Sequence, residues 1–161
     1  MNVCKLAGTT CTNRATAVQP PPNGGKSHTA WSNPALDLPA NQAANFVNAN
    51  AVELPAGTKI YRVTGGNPAG SYWTIQKPNS VGDVIGGTAV RPEWNDFSKM
   101  YVYEVPKGQT LKVWQGTTAK QPITTGVTNP HLPGGEPQLF IPEILRDNTF
   151  KNLIQEIALP W

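Results

Sequence analysis

Leu54-Pro55-Ala56-Gly57-Thr58-Lys59-Ile60-Tyr61-Arg62-Val63 marks the point at which the chain changes character. Upstream, Ala40 to Val52 is rich in helix formers, with Ala43, Phe46, Val47 and Ala51 at helical spacing, which predicts a short helix. Leu54-Pro55-Ala56-Gly57 ends that pattern with a proline and a glycine. Lys59 to Val63 then alternates polar and apolar residues, the signature of a half-buried strand.

From there to the C-terminus the pattern is β-rich. Gly65-Gly66-Asn67-Pro68-Ala69-Gly70 reads as a turn and Tyr72-Trp73-Thr74-Ile75 as a second strand. Lys77 to Asp96 is irregular and contains Arg91 and Trp94. Met100 to Val105 is a strand, Pro106 to Gln109 a turn, and Thr110 to Trp114 is expected to be its hairpin partner. Residues 115–137 read as a long loop, of the kind that is often functional in a compact domain. It closes on Pro133-Gly134-Gly135-Glu136-Pro137-Gln138, followed by the apolar run Leu139-Phe140-Ile141, a short buried strand. Near the end, Phe150, Leu153, Ile154 and Ile157 fall at i, i+3, i+4 and i+7 behind Thr149 as N-cap, which predicts a terminal helix. The expected fold class is α+β, a small, largely antiparallel, twisted sheet with short helices on its N-terminal side and at the C-terminus. Residues 1–39, with Gln19-Pro20-Pro21-Pro22-Asn23-Gly24-Gly25, read as a Pro/Gly-rich arm, and 40–161 as the domain proper.

Composition narrows the function classes. A chain of 161 residues suits one domain with an appendage. The 13 Lys and Arg are scattered singly, so there is no clustered basic footprint for nucleic acid. No apolar run reaches the ~20 residues of a membrane span, and no signal peptide is visible, so an exported form is expected to be part of a longer protein. Cys4 and Cys11 are spaced to allow a small disulfide loop or to stand as two thiols. Two cysteines with His28 and His131 far off in sequence do not make a four-ligand zinc site. Glycine-rich phosphate loops, nucleophile elbows and zinc-protease helices are missing from the sequence.

What remains is a set of isolated polar groups at strand ends. Arg62 interrupts an otherwise regular strand, and its guanidinium is suited to forking onto a phosphate or carboxylate, or to lying on a solvated strand face. Tyr72 and Trp73 follow a glycine and offer rings for stacking on a heterocycle, or for a core. Arg91 and Trp94 are candidates for a cleft wall. Gly134 and Gly135 leave backbone open to close approach, and Gln138 places an amide where a loop meets a rigid strand.

The order of these pieces resembles the tuberculosis-necrotizing-toxin family of bacterial NAD glycohydrolases. The matching segments are Leu54 to Arg62, Gly70-Ser71-Tyr72-Trp73, Tyr103-Glu104-Val105, Leu111-Lys112-Val113-Trp114-Gln115-Gly116 and Pro133 to Gln138, which together span about residues 54–145. The resemblance implies a toxin domain that hydrolyses NAD(P)+ at the nicotinamide–ribose bond. It would be secreted or delivered from a cell surface, would act in the target-cell cytoplasm, and would need no metal or cofactor beyond its substrate. Gln138 takes the place of the family's essential glutamine and Arg62 that of its strand arginine, with Tyr61, Tyr72, Trp73, Arg91, Trp94, Tyr101, Gly134 and Gly135 expected around the substrate. A cognate immunity protein is the expected partner. The chain departs from the family at Tyr101, which stands where a catalytic histidine is expected; a tyrosine is a poor base at neutral pH. A ribonuclease or ADP-ribosyltransferase toxin, and a non-enzymatic β-rich binding module, are the alternatives. The Glu136-Pro137-Gln138 order, without a glutamate in second place, favours hydrolysis over transfer to protein.

Overall fold

The computed structural model describes residues 2–3, 12–13, 25–88, 95–122, 131–132 and 134–161. Eight antiparallel strands form two sheets, and the helices are few and short, so the fold is α+β. Two-residue ribbons add β1 (Asn2–Val3) with β2 (Thr12–Asn13), and β9 (Gln121–Pro122) with β10 (His131–Leu132). The larger sheet has the order β3-β4-β8-β11-β6, formed by Lys26–His28, Phe46–Leu54, Leu111–Thr118, Pro137–Phe140 and Tyr72–Trp73. The smaller has the order β12-β7-β5, formed by Gln155–Ile157, Met100–Glu104 and Lys59–Val63.

The expected helix over 40–52 is a single turn, α1 (Ala40–Ala43), followed directly by the nine-residue strand β4. Helical spacing of Ala43, Phe46, Val47 and Ala51 is outweighed by a period of two. Val52 and Leu54 are fully buried on one face while Ala51 is buried on the other, and the strand pairs on both edges. Residues 26–36, which the sequence places in the arm, supply edge strand β3 and bury Trp31 and Leu36 against Ala51. At the other end, α2 (Asn148–Asn152) is capped by Asp147, whose carboxylate accepts from Phe150 N at 3.0 Å, and not by Thr149. Leu153 stays 42% exposed, and the chain continues as β12 along β7 instead of completing a helical stripe.

The strand pair 100–105 and 110–114 is not a hairpin. The turn through Lys107-Gly108, with Gly108 at φ +79°, carries the chain from the smaller sheet to the larger, so β7 pairs with β5 and β12 while β8 pairs with β4 and β11. The expected loop 115–137 begins as strand, because β8 runs on to Thr118 between β4 and β11. Gly116 is essential there. A bulge between Phe46 and Ala49 brings the Asn48 carbonyl so close that a Cβ on Gly116 would lie 1.8 Å from it.

The two sheets share one core of Val52, Leu54, Ile60, Trp73, Tyr103, Val105, Leu111, Val113, Leu139, Ile141 and Phe150. They also share a corner. Tyr72 and Trp73 pair with Phe140 and Leu139 of the larger sheet, and the next residue, Thr74, pairs with Tyr61 of the smaller one through two 2.8 Å hydrogen bonds. Beside this corner lies a cleft lined by residues of both sheets.

Candidate functional site

The cleft has a volume of about 260 Å³. The smaller sheet contributes Tyr61, Arg62 and Val63; the corner strand contributes Tyr72, Trp73 and Thr74; Thr118 and Gln138 come from β8 and β11. Both residues singled out as catalytic candidates, Arg62 and Gln138, therefore line one cavity although they belong to different sheets.

Gln138 sits at the second position of β11, opposite Gly116, and is only 7% exposed. Its backbone is fixed by the sheet. Its side-chain amide lines the cleft and makes no hydrogen bond to a described residue. Gln138 is thus a buried strand residue on the cleft wall whose amide is left available to a ligand. The glycine pair puts it there. Gly134 and Gly135 adopt φ +64° and +97°, and Gly135 N donates to Thr118 O at 2.9 Å. A Cβ on Gly134 would lie 2.6 Å from Thr118 O, so the turn must pass β8 without a side chain. Neither glycine lines the cleft; they set the register in which β11 enters the sheet.

Arg62 is held by carbonyls. Its Nε donates to Asn67 O at 3.2 Å and its Nη1 to Tyr72 O at 2.9 Å. The guanidinium lies flat over Gly70, where a Cβ would come within 2.2 Å of Nη2. This explains physically why an arginine strand and a glycine before an aromatic pair occur together in the sequence. Burial, with a smaller contribution from the positive charge of Arg146, pushes the Arg62 guanidinium down to about 10. Arg146 braces the same loop from the other side, donating to Ala69 O at 3.0 Å and Ile141 O at 3.1 Å. Arg62 is a partly desolvated cation on the cleft wall, and among the described residues no carboxylate pairs with it.

The aromatic candidates separate. Trp73 is 1% exposed, donates its indole N–H to Gly70 O at 2.8 Å and meets Phe150 edge-on, so it is core that backs the cleft and leaves no free face for a base. Tyr72 forms part of the rim. Its hydroxyl accepts from Asn45 Nδ2 at 2.7 Å and donates to Gln42 Oε1, while Gln121 Nε2 donates to Asn45 Oδ1 at 3.2 Å. Burial raises the Tyr72 phenol above its ordinary range, against a smaller opposing effect from Asn45. Tyr61 lines the cleft. Tyr101 does not: it is the cross-strand neighbour of Arg62 and packs on the shared core. Arg91 and Trp94 lie outside the described residues. Cleft residues that the sequence did not single out include Asn45, Thr64, Thr88, Asn95, Thr118 and Gln121, scattered polar side chains with no motif to mark them. Among the described residues no cluster of three metal-ligating side chains occurs, and no helix is long and apolar enough to cross a membrane.

No protein-family model matches the chain, and no curated protein matches it either. Among solved structures, the chain is similar to Tne2 in its complex with Tni2, at 13% identity and a TM-score of 0.48, over 70% of this chain and 89% of that one.

Proposed function

We propose that this chain is a bacterial toxin domain that hydrolyses NAD(P)+ at the nicotinamide–ribose bond. The observation that carries the reading is the meeting, in one cleft, of the Gln138 amide and the desolvated Arg62 cation, which among the described residues have no hydrogen-bond partner and no carboxylate counter-ion respectively. A ligand that satisfies both must offer hydroxyl or amide groups beside negative charge, as a ribose attached to a pyrophosphate does. Cleavage of the nicotinamide–ribose bond passes through an oxocarbenium-like state, as glycoside hydrolysis does. Nicotinamide leaves as a neutral molecule from a cationic ring, so the demand on acid–base chemistry is small. Arg62 would take the pyrophosphate by charge-assisted hydrogen bonds. Gln138 would fix a ribose hydroxyl or the attacking water in line with the breaking bond, and the Asn45–Tyr72 network would hold the rim in place. A producing cell would need protection, and an immunity protein that covers the cleft is the expected partner.

The test is nicotinamide release from NAD+ by the purified protein beside Gln138→Ala. Loss of an amide that orients the reaction is expected to lower kcat on the order of 10²-fold, with circular dichroism unchanged. Undiminished cleavage by a folded Gln138→Ala protein removes Gln138 from the mechanism. Degradation of tRNA without nicotinamide release would replace the reading with a ribonuclease.

A further inference from the structure

A second hollow, about 340 Å³, adjoins the first and shares Thr74, Pro78 and Thr88 with it. The turn into β11 runs from one to the other: Gln138 faces the first hollow and Glu136 the second. Two residues of extended strand separate them by about 7 Å. The Glu136 backbone is firmly seated, and the residue as a whole is exposed. Its N–H donates to Gly87 O at 3.1 Å, and its carbonyl accepts from Thr118 N at 3.0 Å and Thr118 Oγ1 at 2.9 Å. Its side chain lies against Gly87, where a Cβ would come within 2.6 Å of the Glu136 Cγ. The glycine therefore keeps open the space that the carboxylate stem occupies.

Among the described residues the charged lining of this hollow is Lys77, Asp83 and Glu136. Asp83 is engaged in closing its own turn, with Oδ2 accepting from Asn79 N at 2.9 Å and Ser80 N at 3.2 Å. The Glu136 carboxylate has no hydrogen-bond or ion-pair partner among the described residues. We propose that the second hollow receives the adenosine half of the dinucleotide and that Glu136 makes the protein selective for NAD+ over NADP+. This rests on the reading of the first hollow as the nicotinamide–ribose site. A carboxylate there accepts hydrogen bonds from ribose hydroxyls. The 2′-phosphate of NADP+ carries close to two negative charges at neutral pH and would meet the Glu136 carboxylate, while Lys77 and Asp83 offset one another in charge.

The experiment measures kcat/KM for NAD+ and NADP+, and in parallel the calorimetric affinity for ADP-ribose and for 2′-phospho-ADP-ribose, in the wild-type protein and Glu136→Gln. The wild type is expected to prefer the unphosphorylated ligand by roughly tenfold or more, and Glu136→Gln to reduce that ratio by roughly tenfold. Equal use of the two dinucleotides by the wild type, a preference for NADP+, or a ratio that survives Glu136→Gln overturns the assignment. If neither dinucleotide is cleaved but ADP-ribose binds with the expected preference and Glu136→Gln reduces it, the glycohydrolase reading fails and the subsite stands. Cleavage of NAD+ without selectivity leaves the glycohydrolase reading and removes the subsite.

Discussion

Gly70→Ala places a single methyl group where the Arg62 guanidinium now lies, and its consequences can be worked through. Gly70 does not line the cleft, and its backbone has an ordinary φ, so alanine introduces no conformational strain of its own. The new Cβ would stand 2.2 Å from Nη2 and 2.4 Å from Cζ, and the guanidinium must leave. It would forfeit two charge-assisted hydrogen bonds, to Asn67 O and Tyr72 O, worth ~1.5–3 kcal/mol each. It would also regain hydration. The displacement of its ionisation to about 10 corresponds to a burial penalty of ~3 kcal/mol, which swinging out to solvent relieves. The two effects nearly offset each other, so the net cost to folding is ~0–3 kcal/mol and the variant should remain folded. The anion site would not survive. Loss of one charged contact worth ~1.5–3 kcal/mol raises Kd for ADP-ribose, and KM for NAD+, by roughly 10–100-fold. Titration calorimetry with ADP-ribose, beside a thermal melt, reads both quantities, and Arg62→Ala should match Gly70→Ala in affinity. A folded Gly70→Ala protein with wild-type affinity would refute the role given to Arg62.

Other positions can be tested in the same terms. Gly116→Ala drives a Cβ to 1.8 Å from the Asn48 carbonyl, a clash with backbone that cannot rotate away, and is expected to cost ~3 kcal/mol or more, seen as a drop in Tm of roughly 6–12 °C. Asp147→Ala removes the cap on α2 and should cost ~1 kcal/mol, a Tm loss of roughly 2–4 °C, with nicotinamide release unchanged because Asp147 is not in the cleft. The depressed ionisation of Arg62 has a signed consequence. Its charge, and so the binding of pyrophosphate followed by calorimetry, is lost as pH rises through about 10, while folding stability from this group improves over the same interval because the unfolded chain retains the proton that the folded one releases.

Much of the smaller sheet was legible from residue order. Lys59 to Val63 and Met100 to Glu104 are strands rich in Ile, Val and Tyr, and turn residues lie close by in the sequence. The errors share one cause, which is that local pattern does not report which sheet a strand joins. Phe46 to Leu54 has spacings that suit a helix as well as a strand buried on both faces, and pairing with β3 and β8 decides the outcome. Pro106 to Gln109 is a tight turn in either case, but its flanking strands find partners elsewhere. Gln115 to Thr118 are polar or small and read as loop; they are strand because β4 and β11 enclose them. For the site, Arg62 and Gln138 stood out because each breaks a local pattern at a strand end. Asn45 and Gln121 break nothing, and only the folded chain brings them to Tyr72.

Thr74 is the single residue through which the corner strand leaves one sheet and joins the other. Arg62 and Gln138 stand on opposite sides of that seam, so neither sheet alone contains the site. Binding competence is then a property of how the sheets are docked on their shared core, and a small loosening there can abolish it before the strands themselves are lost. Activity should disappear in denaturant before the bulk of the strand signal does, which makes turnover a gauge of sheet docking. Substitutions far from any ligand, in the core that the sheets share, would silence the protein by loosening the seam.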